Sequence, residues 1–411
     1  MLLVSKRPAF TGLWGKTPEA AFGRLATPCY ILDKAALRRN GEILKGVQDR
    51  TGCRILLAQK AFSNYDLYPV LEPYLAGTEA SGLYEAKLGR EAMPGKEVHV
   101  FCGAYRADQM EEVCQVADHI VFNSPRQLET YGPMAKKAGK SVGLRINPEC
   151  STQEGHAIYD PCAPGSRMGT TRAQWDAWMT PDLVDLLDGI HFHTLCEQGF
   201  DALERTLDAV EARFGTQLAQ CQWINFGGGH HITREGYDLD RLCRCITRMQ
   251  QNYGAQIYLE PGEAVALDAG WLVATVLDVV QADMPIAILD TSASCHMPDV
   301  LEMPYRPNLL APEDGELRLA GENGEKAWTC RLAGKSCLAG DVIGEYSFAA
   351  PLKAGDRLIF TDMAIYSMVK TTTFNGLRLP SIGSLAADPA ATARFRLVRR
   401  FGYEDFKTRL S

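Results

Sequence analysis

Polar side chains with reactive or charged groups follow several runs that are typical of buried strands. The stretch ILLAQKAFSN (55–64) puts Lys60 directly after apolar residues, although lysine is rarely buried without a partner or a task. Such a lysine either extends its amine to solvent or, if burial lowers its pKa, forms a Schiff base with a carbonyl compound. Arg145, His193 and Glu260 lie at or near the ends of three further runs, SVGLRIN, GIHFHT and QIYLE.

A run of three glycines, Gly227, Gly228 and Gly229, stands in NFGGGHH (225–231). Glycines let backbone N–H groups approach an anion closely, so this run is a candidate phosphate site. The alternative is a tight turn that needs positive φ angles.

Histidines occur in HFH (191–193) and as the pair His230 and His231. We expect HFH to alternate across a strand, so that only one of His191 and His193 faces the strand ends. The pair should likewise diverge, and a metal site, which needs its ligands on one face, is therefore not expected. His193 could be structural or could stack on a flat cofactor.

Three further residues have both a functional and a structural reading. In LEPGE (259–263), Glu260 either caps a backbone turn or holds a protonated heteroaromatic nitrogen. Cys337, in KSCLAGD (335–341), and Tyr366, in DMAIYSMVK (362–370), are most often buried packing residues in such contexts.

The elements that carry these residues alternate between short strands and helical segments. Eight strands separated by helical segments predict a (β/α)8 barrel over about residues 34–270, in which chemistry occurs at the carboxyl ends of the strands. An open doubly wound sheet is the alternative. The predicted strands are 55–59, 77–81, 97–102, 119–123, 141–147, 189–194, 222–227 and 256–260.

The pattern changes after residue 270, where helical periodicity largely disappears. Short strands separated by Gly, Pro and Asp predict a C-terminal β domain over 271–411. The strand TPCYILD (27–33) is expected to join that domain, and the N-terminal arm before it has no predicted structure.

Composition excludes some classes of function. The 411 residues carry a formal net charge of −7, which argues against a nucleic-acid binder. The thirteen cysteines show no repeated spacing, as expected for reduced thiols in the cytoplasm. We find neither a signal peptide nor a segment long enough to cross a membrane, so a cytoplasmic protein is expected.

The ordered set TPCYILD, LLAQKAF, GIHFHT, NFGGGH, LEPGE, C-x-x-x-D and Y-x-x-x-K-x-x-x-FNG resembles the alanine-racemase-like pyridoxal phosphate (PLP) enzymes over about residues 27–380. Within them it is similar to the decarboxylases of ornithine, arginine and diaminopimelate. The resemblance implies that Lys60 carries the cofactor and that His193 stacks on its ring. It also implies that Gly227 to Gly229 and Tyr366 hold the phosphate, with Glu260 on the pyridine nitrogen.

The resemblance further implies a homodimer in which Cys337 of one subunit lies near the reacting carbon of the other, and it places Arg145 near the cofactor. PLP acts as an electron sink for the carbanion left by decarboxylation, and a carboxylate such as Glu260 deepens the sink by keeping the ring nitrogen protonated. Related racemases carry an arginine there. Cys337 could return a proton to the carbanion.

The substrate end departs from the ornithine-type pattern. Leu338 follows the cysteine where those enzymes have an acid, and Glu263 replaces their arginine. Acids at Glu263 and Asp299, with His296 nearby, would suit a long substrate with several amines attached to an α-amino acid head. Asp341 could orient Cys337 or bind a substrate amine.

Two alternatives remain open. The chain could be a diaminopimelate or ornithine-type decarboxylase of the same fold, or a PLP-binding protein without catalysis. The acid at position 263 disfavours diaminopimelate, whose distal carboxylate would prefer arginine, and the predicted β domain disfavours a carrier.

Overall fold

The computed structural model describes residues 25–153, 157–386 and 394–411. Its contacts divide the chain into two units. The barrel unit comprises residues 38–265, and the sheet unit comprises the described residues up to 37 and those from 266 onward.

The barrel unit contains eight parallel strands, β2 to β9, that close on themselves. The last strand pairs with the first through Arg54↔Tyr258 and Ile55↔Leu259. The closed barrel predicted from the alternation of elements is confirmed. Its strands are Arg54–Ala58, Gly77–Ala80, Glu97–Phe101, His119–Phe122, Ser141–Arg145, Gly189–His191, Trp223–Asn225 and Gln256–Leu259.

Helices follow the barrel strands, and the longer ones turn one apolar face inward. The helix Phe200–Leu218 buries Leu203, Leu207 and Val210, the spacing expected for one helical face. The helices α1 to α10 are Lys34–Thr51, Tyr68–Leu71, Leu83–Ala92, Met110–Val116, Pro125–Lys137, Arg172–Trp178, Pro181–Val184, Phe200–Leu218, Leu239–Tyr253 and Glu263–Ala266.

A large aromatic side chain fills part of the barrel interior. Trp223 is 3% exposed and packs with Leu56, Val121 and Tyr258. A Cβ on Gly189 would lie 2.1 Å from the indole of Trp223, so the neighbouring strand needs a glycine there. The barrel is thus a packed core, and chemistry is confined to its end.

The sheet unit has a ten-stranded mixed sheet. The strand β1 lies between β10, which is antiparallel to it, and β17, which is parallel. Three short helices, α11 to α13, complete the unit: Ala293–His296, Asp299–Glu302 and Tyr403–Lys407. The strands β1 and β10 to β18 are Cys29–Asp33, Gly270–Gln281, Pro285–Leu289, Leu309–Glu313, Glu316–Leu319, Trp328–Ala333, Val342–Phe348, Arg357–Thr361, Ser381–Ala386 and Arg394–Arg399.

Two further properties concern the helices and the cysteines of the described residues. In the described part of the chain no helix combines the length and the apolar character needed to cross a membrane. The thirteen cysteines, all within the described ranges, are free thiols.

Candidate active site

Lys60 follows β2 and pairs with a buried carboxylate. Its Nζ donates to Oε2 of Glu79 at 3.0 Å, and Glu79 is 1% exposed on the adjacent strand β3. Burial lowers the pKa of Lys60, but Glu79 and Glu260 outweigh burial and raise it above the ordinary value. Burial raises the pKa of Glu79 despite the opposing effect of Lys60. The proton of this hydrogen bond therefore resides on Lys60, and Glu79 is the base that faces it.

Glu260, directly after β9, is 4% exposed and is held by two side chains. His191 Nε2 lies 3.0 Å from Oε2 of Glu260, and the amide of Asn225 donates to Oε1 at 2.6 Å. Burial raises the pKa of Glu260, but His191 and Lys60 together bring it well below the ordinary value. This carboxylate stays ionised at neutral pH and can accept a hydrogen bond from a further donor.

The expected divergence of the two histidines in HFH is wrong. Both rings face the same group of charges, since both His191 and His193 interact electrostatically with Lys60, Arg145 and Glu260. Residues i and i+2 of an extended segment lie on the same side of the sheet. The intervening Phe192 instead packs on Phe226, with ring centroids 5.4 Å apart.

His193 is a neutral ring with a defined tautomer. Burial, with the cations Lys60 and Arg145, holds the pKa of His193 well below its usual range. The backbone N–H of Gly228 donates to Nδ1 at 2.9 Å, so the ring hydrogen is on Nε2.

Arg145 fixes the backbone that carries this ring. Its guanidinium donates to the carbonyl of His193 at 2.9 Å and lies 4.6 Å from the ring centroid of Phe101. Burial lowers the pKa of Arg145 to about 10, so the guanidinium remains charged at neutral pH.

The three glycines are packed against neighbouring backbone. A Cβ would lie 2.5 Å from the carbonyl oxygen of Phe192 at Gly227, 2.1 Å from that of Glu260 at Gly228, and 1.9 Å from that of Leu195 at Gly229. Gly227 and Gly229 also have φ angles of +69° and +85°. The turn therefore requires glycine for steric reasons.

Two of the glycine amides already have acceptors inside the barrel unit. The amide of Gly227 donates to Oδ1 of Asn225 at 2.9 Å, and that of Gly228 donates to His193. A phosphate site in this run would therefore depend on Gly229 and the residues after it, and the phosphate role stays a prediction.

Glu263 opens the short helix α10 and faces a buried histidine. His231 Nε2 lies 3.3 Å from Oε2 of Glu263, and Glu197 lies in the same cluster. Glu263, the acid predicted to bind a substrate amine, therefore has a polar neighbour within the barrel unit.

Other predicted site residues belong to the sheet unit. Cys337 is exposed, and its backbone amide donates to Oδ1 of Asn375 at 2.8 Å. Tyr366 has a φ of +51°, a left-handed conformation that is costly for a large side chain and that concentrates at functional positions. Asp341 is 2% exposed and bonds to Ser292 and Ser336.

Two predicted substrate residues have structural partners. Asp299, 8% exposed, accepts from Nζ of Lys370 at 2.5 Å. His296 is fully buried, its Nδ1 lies 3.0 Å from Oγ1 of Thr291, and burial lowers its pKa to about 4. The same Nζ of Lys370 also pairs with Glu302, so one cation is shared between two carboxylates.

The sequence analysis missed Glu79, Asn225 and the contact of His191 with Glu260. The register pairs Ala58 with Glu79, and Lys60, two residues after Ala58, reaches that carboxylate with its amine. A charged residue in an otherwise apolar strand, GTEA, is the signal that could have identified Glu79.

Comparisons with known proteins identify the family of the chain. The sequence model described as "Pyridoxal-dependent decarboxylase, C-terminal sheet domain" matches residues 29–364. A carboxynorspermidine/carboxyspermidine decarboxylase of Campylobacter jejuni is 40% identical over 94% of this chain and 99% of its own. A carboxyaminopropylagmatine decarboxylase of Synechocystis is 41% identical over 94% of this chain and 96% of its own.

A solved structure has the same fold throughout. The crystal structure of carboxynorspermidine decarboxylase from Campylobacter jejuni, complexed with norspermidine, superposes with a TM-score of 0.82 at 39% identity, covering 94% of this chain and 100% of that one. With its closed barrel, its separate sheet and these full-length relatives, the chain belongs to the pyridoxal-dependent decarboxylase family and is a carboxy-lyase.

Proposed function

We propose that this enzyme decarboxylates carboxynorspermidine to norspermidine and carboxyspermidine to spermidine, with PLP as its cofactor. The observation that carries the proposal is the joint presence, in one barrel, of the Lys60 amine beside Glu79 and of an ionised Glu260. The named activity of the Campylobacter jejuni relative supports the choice of substrate.

The residues present fit PLP by their chemistry. A carbonyl-bearing cofactor needs a primary amine, and Lys60 supplies one among buried groups. A protonated ring nitrogen needs a carboxylate that does not itself protonate, which describes Glu260. A flat ring suits the neutral imidazole of His193, whose Nδ1 is already bonded to backbone.

Lys60, His193, Arg145 and Glu260 would hold the ring end of PLP, and Gly229 and Tyr366 are the residues that we propose for its phosphate. When bound, PLP supplies an electron sink for the pair left behind by departing CO2. Glu260 would keep the ring nitrogen protonated, and His191 and Asn225 hold Glu260 in its orientation.

Proton movement at Lys60 is the task we assign to Glu79. An ammonium must lose a proton before its nitrogen can attack a carbonyl carbon. Oε2 of Glu79 accepts a hydrogen bond from Nζ at 3.0 Å. Burial raises the pKa of this carboxyl, which makes it a better proton acceptor than an exposed glutamate.

The proton that replaces CO2 on the product would come from Cys337. Its thiol is exposed at the end of a turn in the sheet unit. We propose that Cys337 serves the active site of a partner subunit in a homodimer, as the resemblance to other decarboxylases of this family implies.

The substrate amines need anionic partners once they leave water. Glu263, beside His231, is the proposed acid for this role. Asp299 is a weaker candidate because it already pairs with Lys370, a lysine that it shares with Glu302. His296 and Asp341 are buried within their own hydrogen-bond networks.

A second substrate is favoured by one specific observation. The Synechocystis relative, named for carboxyaminopropylagmatine, is as similar to this chain as the Campylobacter jejuni one, at 41% and 40% identity. That substrate ends in a guanidinium, which pairs bidentately with a carboxylate. A terminal amine and a terminal guanidinium would both suit Glu263.

Diaminopimelate is a poorer candidate because an acid at position 263 would repel its distal carboxylate. Ornithine-type substrates are disfavoured because Leu338, not an acid, follows Cys337. We further propose that the enzyme works in the cytoplasm, in keeping with its thirteen free thiols.

A substrate panel tests the proposal. The purified enzyme is loaded with PLP and given carboxynorspermidine, carboxyspermidine, carboxyaminopropylagmatine, meso-diaminopimelate and ornithine in turn, and the decarboxylated products are measured by mass spectrometry. We expect kcat/KM for the first two to exceed that for diaminopimelate by about 100-fold or more. Higher turnover of carboxyaminopropylagmatine would make that compound the proposed substrate. Turnover of diaminopimelate alone would refute the proposed function.

A further inference from the structure

The carboxylate of Asp341 has all its acceptor positions in use. Its Oδ2 accepts from Oγ of Ser292 at 2.8 Å and from Oγ and N of Ser336 at 2.6 and 3.3 Å. Its Oδ1 accepts from the amides of Ala293 and Ser294 at 2.7 and 3.3 Å. A carboxylate offers about four lone-pair sites, so five donors leave no place for a substrate ammonium.

These bonds close the base of the turn that carries the reactive thiol. The amide of Gly334 donates to the carbonyl of Asp341, and the amide of Asp341 donates to the carbonyl of Leu338, both at 2.9 Å. A Cβ at Gly334 would lie 2.2 Å from Oδ2 of Asp341. The turn 335–341 therefore has a buried base at Asp341 and an exposed tip at Cys337.

The same carboxylate joins this turn to the segment before α11. Ser292 donates to Asp341 through Oγ, and that oxygen also caps the short helix by accepting from the amide of Cys295 at 3.2 Å. At the tip, the amide of Cys337 donates to Asn375. Two separate segments of the sheet unit thus hold the turn.

We propose that Asp341 is a positioning residue for Cys337, which sets where the thiol is presented, and that it does not bind the substrate. The inference rests on the proposed function, in which Cys337 donates a proton. An exposed side chain at the end of a loose turn would sample many positions, and small misplacements of a catalytic group cost about 100-fold in rate. A buried carboxylate with five donors removes that freedom.

The test is a double-mutant cycle in the PLP-loaded enzyme. Asp341→Asn keeps the size of the side chain but replaces one oxygen by an NH2 group. That group would face the amides of Ala293 and Ser294 or the hydroxyls of Ser292 and Ser336, which are donors themselves. We expect kcat to fall about 10- to 100-fold with KM within about twofold. In the Cys337→Ala background the same substitution should change kcat less than about threefold, because the thiol it positions is absent.

Two results would overturn the inference. One is a large rise in KM with kcat retained, which is the signature of a lost substrate contact. The other is an equal loss of kcat with and without Cys337. Asp290→Asn is the matched control, since Asp290 also accepts from a hydroxyl and an amide in the sheet unit, and we expect it to leave kcat unchanged.

A readout independent of turnover separates this inference from the proposed substrate. Amide hydrogen exchange in residues 335–341 should rise in Asp341→Asn and not in Asp290→Asn, whatever the enzyme decarboxylates. Unchanged exchange would contradict the inference even if carboxynorspermidine were turned over. If Asp341→Asn does not fold, Ser336→Ala removes one donor to Oδ2 and should show the same pattern at smaller amplitude.

Discussion

Replacement of Asn225 by leucine removes one of the two side chains that hold Glu260 ionised. It also removes the acceptor of the Gly227 amide, which adds a loss of stability that does not depend on pH. The amide of Asn225 donates to Oε1 of Glu260 at 2.6 Å, and leucine has a similar shape, cannot donate and does not titrate. A hydrogen bond to a charged group contributes about 1.5–3 kcal/mol. Because one pKa unit corresponds to about 1.4 kcal/mol, Asn225→Leu should raise the pKa of Glu260 by about 1–2 units.

The sign of the pH dependence follows from linkage. The folded-state pKa of Glu260 is depressed, so its ionised form stabilises the fold at pH values above the unfolded pKa, and this contribution is lost as the pH falls through the folded pKa. The loss of unfolding free energy in Asn225→Leu should thus be complete at pH 7 and shrink as the pH falls below the ordinary carboxyl value of 4.5.

Urea unfolding of the cofactor-free protein between pH 3 and pH 8, as a series of about six steps, measures this difference. Asn40→Leu is the matched control: Asn40 is also buried, and its amide donates to the neutral carbonyl of Val265 at 3.2 Å. We expect the control to lose about 0.5–1.5 kcal/mol at every pH. A pH-independent loss in Asn225→Leu would refute the electrostatic account of Glu260.

Three further substitutions test the remaining roles. Glu79→Gln should lower the pKa of Lys60 and shift the pH profile for covalent capture of PLP, followed by absorbance, about 1–2 pH units toward acid; an unchanged profile would contradict the ion pair, and an unchanged rate of capture would remove Glu79 from the proton path. Cys337→Ala should retain one PLP per chain while kcat falls about 100-fold or more, and full activity would exclude Cys337 as the proton donor. Glu263→Gln should raise KM for the polyamine substrates about 10- to 100-fold, whereas a loss confined to kcat would contradict a substrate contact.

The barrel could be predicted because short strand-like runs alternate with segments of helical periodicity. Lys60 and Glu260 were identifiable because a charged group at the end of a buried strand is rarely placed there by packing alone. The partners of these residues were not identifiable. Glu79 meets Lys60 through the register of two strands, and the side chain of His191 meets Glu260 across 69 positions of sequence.

The substrate end was the least predictable part. Acidic residues that look equivalent in the sequence have different environments: Asp299 is paired with Lys370, Asp341 is fully bonded to serines and amides, and Glu263 faces His231. Which acids have spare capacity for a substrate amine depends on tertiary contacts. The spacing of residues along the sequence does not reveal these contacts.

Borohydride reduction of the PLP-loaded enzyme, followed by peptide mapping, tests the central claim most directly. Reduction fixes a pyridoxyl group on the amine that holds the cofactor, and mass spectrometry locates it. The account predicts a single modified peptide containing ILLAQKAFSN with the added mass on Lys60. A pyridoxyl group on any other lysine, or none after loading at saturating PLP, would contradict it.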